Sequence, residues 1–571
     1  MERLDVNATL DYTTSLWRII LALAVALIIA LTWIIVPLAL RVRKSKLWVI
    51  PGPPSTSWIL GNLREYNDSP RDLISDEWME RYGSVVRIHG FLQTPMLSIT
   101  DNRALNHIFT NYTYLTKPEY IRLDLSKLLC SGLLTVEGER YKHQRRILNQ
   151  VFGSAQIREA TSTFFDKALE LRDLWTAEIA AAHQSTRMDV LHGLNMATLD
   201  AVGQAGKAIG DDTRTPSLSI HVVFNCDFEA LKSHQKPNKF ARTLERVFSM
   251  PNQKHVLVLM KNLLPALNFI FDPNMGLVNE AVDMMRGIGA QLVAEKKAEL
   301  LRDGKTAVGG VSSLEDRDFV SVLVQAHLNP DVAGGQRLSE EDVLSQFPTF
   351  TITGHETTSD ATAWCLYELA RAPRVQAKLR EELLAVHTDS PTMDELMALP
   401  YLDMVVRESL RIRAPVTSTI RTANKCDVIP LETPFRGLDG EMHDSIEVPE
   451  GTMMIIPFMA IHRSTAIWGP DAAEFRPERW ENTPKASDDI PGVWGHLLSF
   501  GGGPRACIGF RFAIVEMKAL IFTLLRAFEF APAVEAADIS TMPGIVLRPC
   551  LKDAPDGGSQ MPLLVRRCEV A

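Results

Sequence analysis

The sequence predicts a mainly helical fold with a smaller sheet region, and three observations lead to this prediction. Long segments with apolar residues at helical spacing dominate the chain of 571 residues. Shorter apolar pieces of the kind that form strands are few. No Gly/Ser-rich linker or internal repeat divides the roughly 515 residues after position 55, so we expect one large domain over residues 56–571.

The individual elements follow from the same patterns. Helices are predicted at residues 160–178, 273–302, 339–371, 392–411 and 508–530. Strands are predicted near residues 84–99, 416–422 and 453–458. Loops are expected at 302–316 and 426–446, and the tail from Lys552 is expected to lie at the periphery.

The start of the chain predicts a membrane anchor. Residues 19–40 form an almost unbroken apolar run that is long enough to span a bilayer as a helix, and basic residues follow it at once. By the positive-inside rule, residues 1–18 are then lumenal and the large domain is cytosolic, with residues 41–55 as a basic, Pro-rich linker. A cleaved signal peptide is the competing interpretation, but the run is long for one and its basic residues lie on the far side.

The net charge argues against a nucleic-acid-binding protein, and the cysteine spacing argues against a disulfide-rich one. The net charge of −9 argues against a nucleic-acid partner. The seven cysteines form no CxxC pair and no disulfide framework, which fits a reducing compartment.

The most informative segment is residues 500–510, Phe-Gly-Gly-Gly-Pro-Arg-Ala-Cys-Ile-Gly-Phe. It places Cys507 at the end of a glycine-rich loop, just before a helical run. A helix N-terminus and the nearby Arg505 both favour a thiolate, and thiolate is the ligand that promotes O–O cleavage on haem iron. The alternative is a glycine-rich turn with a structural cysteine. A phosphate-binding loop fits poorly, because no Lys-Ser/Thr pair follows the glycines.

The neighbours of Cys507 suit a haem site. Gly503 and Gly509 would let the backbone turn tightly and approach a flat macrocycle. Arg505 can pair with a propionate, and Phe500 can pack against the ring or shield the sulfur.

The spacing Phe-x-x-Gly-x-Arg-x-Cys-x-Gly resembles the haem loop of the cytochrome P-450 superfamily. Further motifs occur in the family's order and at its distances. Glu408-Ser-Leu-Arg411 and the later Arg479 resemble the family's buried Glu-Arg-Arg network, which implies a scaffold that holds the haem loop. The segment that ends at Arg421 resembles the strand whose arginine reaches a haem propionate.

The segment Thr353-Gly-His-Glu-Thr-Thr358 resembles the helix that crosses the distal face of the haem in this family. The resemblance implies that Thr357 acts on bound dioxygen and that Glu356 supplies protons. Thr353 departs from the family, which usually has Ala or Gly there, and His355 is expected to be structural. The alternative is a helix whose threonines bond back to the preceding turn without any function.

Tyr141 and Arg145 lie four residues apart and resemble the family's Trp-x-x-x-Arg pair, with tyrosine in place of tryptophan. The resemblance implies that Arg145 pairs with a haem propionate. The competing interpretation is a solvated basic helix.

The resemblance, closest in general look to fungal microsomal members, implies a haem-thiolate monooxygenase with haem b as cofactor. It would insert one atom of O2 into a lipophilic substrate at the endoplasmic reticulum membrane, in secondary metabolism such as terpenoid synthesis or in the oxidation of foreign compounds. No nicotinamide-binding fingerprint is present, so NADPH–cytochrome reductase is the expected electron donor. Basic residues on the cysteine side would dock it: Arg140, Lys142, Arg146, Arg505 and Arg511.

Two other functions stay open at this point. One is a haem-thiolate isomerase or dehydratase that needs no reductase, and the other is a membrane-tethered binding or scaffold protein. The anchor prediction also places the sequon at Asn7 in the lumen, where it could be glycosylated.

Overall fold

The structure is a computed structural model, and it describes residues 17–18, 21–22, 25, 45–68, 71–182, 185–204, 228–232, 239–249, 275–302, 319–328, 337–542, 546–553 and 558–568. Asn7 and nearly all of the predicted anchor over 19–40 lie outside these residues. Within the described ranges, no helix is both long enough and apolar enough to cross a membrane.

The mainly helical fold is confirmed. The helices of the described residues are α1 (Leu63–Asp68), α2 (Arg71–Tyr82), α3 (Asn102–Thr110), α4 (Glu119–Leu129), α5 (Gly138–Leu148), α6 (Ser154–Ala182), α7 (Val190–Gln204), α8 (Lys239–Ser249), α9 (Met275–Arg302), α10 (Phe319–Leu328), α11 (Glu340–Arg371), α12 (Pro373–Leu384), α13 (Met393–Met397), α14 (Pro400–Ile412), α15 (Phe458–His462), α16 (Thr465–Trp468) and α17 (Phe510–Ala527).

The strands form a smaller part of the molecule. They are β1 (Val85–His89), β2 (Pro95–Ile99), β3 (Leu115–Thr116), β4 (Thr186–Asp189), β5 (Ser418–Ala423), β6 (Asp427–Arg436), β7 (Met442–Val448), β8 (Met453–Pro457), β9 (Phe528–Pro532), β10 (Ile539–Thr541), β11 (Pro549–Leu551) and β12 (Pro562–Arg567). The largest sheet has the order β1-β2-β8-β5-β3, with β5 antiparallel to β8.

Helix α11 runs through the core, and most of its residues are buried. Ser339 begins it with a capping box: its hydroxyl accepts the Asp342 N–H at 3.0 Å, and the Asp342 carboxylate accepts the Ser339 N–H at 3.2 Å. The helix packs against α7, α9, α14 and α17. A Cβ on Gly354 would lie 3.0 Å from the Val202 side chain, so glycine here lets α11 and α7 approach closely.

Two predicted irregular segments are ordered strands. The predicted loop at 426–446 is wrong, because β6 and β7 pair there as an antiparallel hairpin whose turn includes Gly440 at φ +87°. The tail beyond Lys552 is not peripheral either. Strand β12 lies between β4 and β9, and Met561, Leu563 and Val565 are buried in the core.

The predicted helix over 392–411 is two helices. Thr392 caps the short α13 through a capping box with Glu395. Leu399 then has an extended backbone, and Pro400 is the first residue of α14. A residue before proline is driven out of the helical region, which explains the break.

Candidate active site

An internal cavity of about 330 Å³ lies between α11 and the loop that precedes α17. Its walls are mainly apolar and include Val202, Phe350, Ala361, Val416 and Phe512. Small-molecule sites are typically concave and apolar with a few placed polar groups. Here the polar groups come from five places: α11, strand β5, the segment before α4, helix α5, and the loop before α17.

The loop before α17 brings Cys507 to the cavity wall. The Cys507 N–H donates to the carbonyl of Phe500 at 2.8 Å, which closes the loop on itself. The Phe500 ring lies between the rings of Trp494 and Phe510, with centroids 5.9 and 6.1 Å away, and also lines the cavity. The loop therefore presents Cys507 to the cavity.

The backbone conformation requires glycine at position 503 but not at position 509. Gly503 has φ +63°, and a Cβ there would lie 2.8 Å from the carbonyl oxygen of Phe109, so the loop requires glycine at this position. Gly509 has φ −90°, and a Cβ would meet the Phe152 ring at the ordinary contact distance of 3.7 Å. The close approach of Gly509 to a macrocycle stays a prediction.

The electrostatics around Cys507 differ from the sequence-based expectation. Burial raises the pKa of the thiol, while the Gly509 N–H and the Arg145 guanidinium oppose that shift. Arg505, the expected source of positive charge, pairs with Glu137 instead. Arg145 is therefore the cation that favours a thiolate here, and metal binding would deprotonate the sulfur further.

One face of α11 forms the opposite wall, as the helical spacing predicts. Thr353, Gly354, Thr357 and Thr358 all line the cavity. The Thr357 hydroxyl donates to the carbonyl of Thr353 at 2.9 Å, and the Thr353 hydroxyl donates to that of Thr349 at 2.7 Å. These bonds fix the hydroxyls, and each oxygen keeps lone pairs with which to accept a further hydrogen bond.

Glu356 lies beside this wall but is not part of it. Its carboxylate pairs with the guanidinium of Arg548, which lies 192 residues further along the chain. Sequence reasoning missed Arg548, because nothing local marks it as a partner. Burial raises the pKa of Glu356, and the charge and hydrogen bonds of Arg548 oppose this shift.

His355 has the structural role that was predicted. Its Nδ1–H donates to the carbonyl of Thr351 at 2.6 Å, within the preceding turn of α11. Burial lowers the pKa of the imidazole to about 4, so the ring is neutral at pH 7.

Two buried cations line the cavity near β5. Arg421 donates to the Thr419 hydroxyl and the Ile420 carbonyl, at 2.7 and 2.9 Å, and burial lowers its pKa to about 10. Lys117 donates to the Leu134 carbonyl at 2.9 Å. Burial and the charges of neighbouring arginines lower its pKa well below the ordinary lysine value. Lys117 was not predicted as a site residue.

Two further arginines approach from the cysteine side. Arg145 lines the cavity and donates to the Ala506 carbonyl at 2.7 Å. Arg505 lies over the Tyr141 ring, 3.4 Å from its centroid, and the Tyr141 hydroxyl donates to the Pro504 carbonyl at 2.6 Å. Tyr141 therefore packs against the cysteine loop rather than facing solvent.

The cations at this end of the cavity are not matched by carboxylates. Of the described residues, none places a carboxylate within ion-pair distance of Lys117 or Arg421, and only Glu137 pairs with Arg505. Buried cations with depressed pKa values are stabilised by an anionic ligand. A flat ligand with carboxylates at this end and a metal facing Cys507 would fit the residues present.

The predicted Glu-Arg-Arg network is formed and is fully buried. Arg411 donates to both oxygens of Glu408, at 2.8 and 2.9 Å, and Arg479 donates to one at 3.3 Å. The indole of Trp480 and the backbone N–H of Arg476 also donate to Glu408, each at 3.0 Å. A buried carboxylate is tolerated only when it is satisfied in this way.

His462 connects this network to the cysteine loop. Arg411 donates to the His462 carbonyl at 2.7 Å, and the imidazole Nε2 accepts the Leu498 N–H at 2.8 Å. Burial and the Arg411 charge lower the pKa of His462 to about 3, so the neutral ring can accept. Ser499 adds a second link by donating to the Leu410 carbonyl at 2.8 Å. Sequence reasoning did not assign this role to His462.

Comparison with known proteins agrees with this geometry. Residues 51–552 match the family described as Cytochrome P450. The chain belongs to the cytochrome P450 family. Family members bind haem through an iron–thiolate bond to cysteine, and among the described residues Cys507 is the cysteine that lines the cavity.

Fungal P450s resemble this chain over nearly its full length. Cytochrome P450 monooxygenases 205 and 128 of Postia placenta are 44% and 43% identical to it, and the alignments cover 97% and 91% of this chain and 99% and 92% of theirs. Cytochrome P450 monooxygenase claQ of Ampulloclitocybe clavipes is 31% identical, with 94% of this chain and 96% of the relative covered. The protein is therefore an oxidoreductase of the P450 monooxygenase family.

The residues present fit the family's haem. Cys507 would hold the iron, Phe500 and Gly503 would lie beside the sulfur, and Lys117, Arg145 and Arg421 would bind the propionates. Arg505 also lines the cavity, where it pairs with Glu137, donates to the Val136 carbonyl at 3.0 Å and lies over the Tyr141 ring, and its contact with a propionate stays a prediction.

Replacing Arg421 or Lys117 with glutamine is expected to weaken haem binding by about 10- to 100-fold. A hydrogen bond to a buried charge contributes about 1.5–3 kcal/mol, and glutamine keeps the volume without the charge. Haem loss to apomyoglobin measures the effect. Lys425→Gln is the control, because that exposed ammonium lies over the Tyr114 ring instead. Wild-type haem retention in both test variants would contradict the assignment.

Proposed function

We propose that this P450 inserts one atom of O2 into a lipophilic organic substrate, with electrons supplied from NADPH by the microsomal reductase. The observation that carries the proposal is that one mainly apolar cavity is lined by both the Cys507 sulfur and the Thr357 hydroxyl. A site with a thiolate on one wall, a fixed hydroxyl on the other and apolar sides suits the oxidation of an apolar molecule out of contact with water.

Each residue of the cavity wall and its surroundings has a separate role in the proposed reaction. Haem, when held through Cys507, supplies the oxygen chemistry. The Thr357 hydroxyl, fixed by its bond to the Thr353 carbonyl, presents its oxygen to the cavity. The carboxyl group of Glu356, the residue before Thr357, would supply protons and is paired with Arg548. Thr353 adds a β-branched side chain to the same wall, where it narrows the space for substrate.

The substrate class follows from the walls and from the relatives. The cavity is mainly apolar, and the most similar relatives named above are fungal P450 monooxygenases. We infer a role in secondary metabolism, for example on a terpenoid, or in the oxidation of foreign lipophilic compounds.

The proposed location rests on the sequence. Residues 19–40 would anchor the protein in the endoplasmic reticulum membrane, with residues 56–571 in the cytosol. The sequon at Asn7 would then be lumenal and open to glycosylation.

Reconstitution tests the reaction class. With NADPH and a fungal reductase, the purified protein is expected to oxidise members of a panel of lipophilic compounds, with one atom of labelled O2 appearing in the product. An isomerase or dehydratase would turn over without NADPH and incorporate no label. A scaffold protein would do neither.

Reversing the charge of Lys142 and Arg146 is expected to slow reduction by the reductase at low salt. Both side chains are exposed on α5, whose Arg145 contacts the cysteine loop, and charge complementarity speeds encounter. Stopped-flow reduction at several salt concentrations measures this. The control reverses Lys297 and Arg302, two exposed cations on α9. If the rate is unchanged in the α5 variant, the reductase does not dock on this face.

A further inference from the structure

A second buried carboxyl group lies directly behind Glu356. Asp360 is one helical turn further along α11, so the two side chains project from the same side of the helix. Both are buried, Asp360 at 2% exposed and Glu356 at 7%. Asp360 does not line the cavity, and the motif analysis gave it no function.

The carboxyl group of Asp360 is incompletely hydrogen-bonded among the described residues. Its Oδ2 has no hydrogen-bonding partner among the described residues. The guanidinium of Arg548 contacts Glu356, and among the described residues it is the cation whose charge shifts the pKa of both acids. Burial and the negative charge of Glu356 raise the pKa of Asp360 well above its usual range, and Arg548 opposes this only in part.

The other titratable groups near this cluster do not supply charge. His355, on the same helix, is also within the influence of Arg548, and its pKa of about 4 leaves it neutral. Glu516 reaches α11 from α17 through Thr358, and burial raises its pKa well above the usual range. Two carboxyl groups with raised pKa values therefore share the field of one guanidinium, Arg548, and a single proton held between them would leave the cluster without net charge.

We propose that Asp360 is a positioning residue that stores one proton behind Glu356 and, through the shared Arg548, sets when Glu356 releases a proton toward the cavity. The inference deepens the proposed monooxygenase function and rests on it.

The exchange of a proton between the two acids leaves the charge of the cluster unchanged. At rest, Asp360 carries the proton, Glu356 is ionised and Arg548 pairs with it. In the exchange the O–H bond of Asp360 breaks, a carboxyl oxygen of Glu356 gains that proton, and Arg548 turns to the newly charged Asp360. The sum of the three charges is zero before and after, so the exchange creates no additional buried charge, which would be costly.

Glu356 then gives its proton to the Thr357 side of α11 and returns to its pair with Arg548. A proton from solvent restores Asp360. The Arg548 side chain is 17% exposed, more than either acid, so the cluster has access to water at that end.

Asp360→Asn tests the proposal, because asparagine has the same shape and stays neutral. In infrared spectra of the resting protein, recorded in H2O and D2O, the wild type is expected to show a protonated carboxyl band that Asp360→Asn loses. In the reductase system, Asp360→Asn is expected to divert several-fold more of the consumed NADPH to peroxide. Thr357→Ala provides the positive control for such uncoupling.

Matched variants separate this role from a loss of packing. Glu516→Gln should remove a different carboxyl band and leave the Asp360 band in place. Thr362→Val removes a buried hydroxyl two residues from Asp360 and should change neither band nor peroxide yield. If Asp360→Asn does not fold, Arg548→Gln gives the second test: without the shared cation, Glu356 should also take up a proton and an additional band should appear.

Three results would overturn the inference. They are an Asp360→Asn spectrum identical to the wild type, an unchanged peroxide yield, and an Arg548→Gln spectrum without a new band. The infrared measurements need no substrate, reductase or NADPH. A failure of the proposed monooxygenase function would therefore appear in the reconstitution alone, and a failure of the Asp360 inference would appear in the spectra.

Discussion

Cys507→Ala is expected to abolish the far-red-shifted Soret band that carbon monoxide produces with the reduced protein, and oxidation activity with it. Cys507 supplies the only thiol among the described residues that line the cavity. Without it, no other described residue of the cavity wall can supply a thiolate, and thiolate ligation gives this family its oxygen chemistry. The carbon monoxide difference spectrum of wild type and variant, measured at equal haem content, checks the expectation.

The matched control for this experiment is Cys426→Ser. Cys426 is an exposed thiol in the turn before β6, so its loss should leave the band at full height. A shifted band that persists in Cys507→Ala would mean that another cysteine holds the iron. Haem without the shifted band in the wild type would remove thiolate ligation itself and favour a function other than monooxygenation.

The cavity-facing residues and the buried acids lie on different faces of the same helix, α11. Thr353 and Thr357 face the cavity, whereas Glu356 and Asp360 project toward Arg548. Because one helix carries both sets, a change that rotates or bends α11 would alter substrate fit and proton supply together. Gly354, which allows the close contact with α7, is the position most sensitive to such a change.

Local sequence signals predicted the four longest helices, α6, α9, α11 and α17, but not most of the shorter helices or the strands β6, β7 and β12. Helix α11 was placed within one residue of each end, because Ser339 caps its start and Pro373 follows its end. The β6–β7 hairpin was missed because prolines at 430 and 434 interrupt its alternation. The Asp439-Gly440 pair, a strong turn signal between strands, could have indicated it.

Strand β12 was missed for a different reason. Its partner β4 lies several hundred residues earlier in the chain, and its partner β9 lies tens of residues earlier. Among the described residues, no adjacent segment forms a hairpin with β12 that a local turn signal could reveal. Pairing over such a distance is decided by the assembled core, where Leu563 and Val565 are fully buried. Propensity alone is a weak guide to such strands.

The site residues show the same contrast between features set by local sequence and features set by tertiary contacts. Pairs of residues three or four positions apart, such as Glu408–Arg411 and Tyr141–Arg145, could be predicted from the sequence because one helix face brings the two side chains together. Contacts made only by the tertiary structure could not be predicted. They are the position of Lys117 in the cavity wall, the ion pair of Arg548 with Glu356, and the hydrogen bond between His462 and the cysteine loop. The Glu137 partner of Arg505 was likewise not predicted, whereas the propionate contact suggested by the motif stays a prediction.

Glu408→Gln is expected to destabilise the protein by about 3–5 kcal/mol, the usual cost of removing one partner from a buried ion pair. The substitution leaves the Arg411 and Arg479 guanidiniums, both fully buried, without the carboxylate that neutralises them. Because Arg411 also holds the His462 carbonyl, whose ring accepts from the cysteine loop, we expect haem to be lost before the rest of the fold melts. Urea unfolding monitored in parallel by circular dichroism and by the Soret band measures both effects.

Two comparisons decide whether the charge itself is responsible. Asp124→Asn removes an exposed ion pair with Lys127, whose side chains are 47% and 42% accessible, and should cost at most about 1 kcal/mol. Arg411→Lys keeps a positive charge but lacks the planar fork that bonds both oxygens of Glu408 and the His462 carbonyl together, so it should resemble Glu408→Gln rather than the wild type. Wild-type stability in Glu408→Gln would show that the network can lose its anion without consequence. The cysteine loop would then have to be held by Ser499 and by its own glycine-dependent turn.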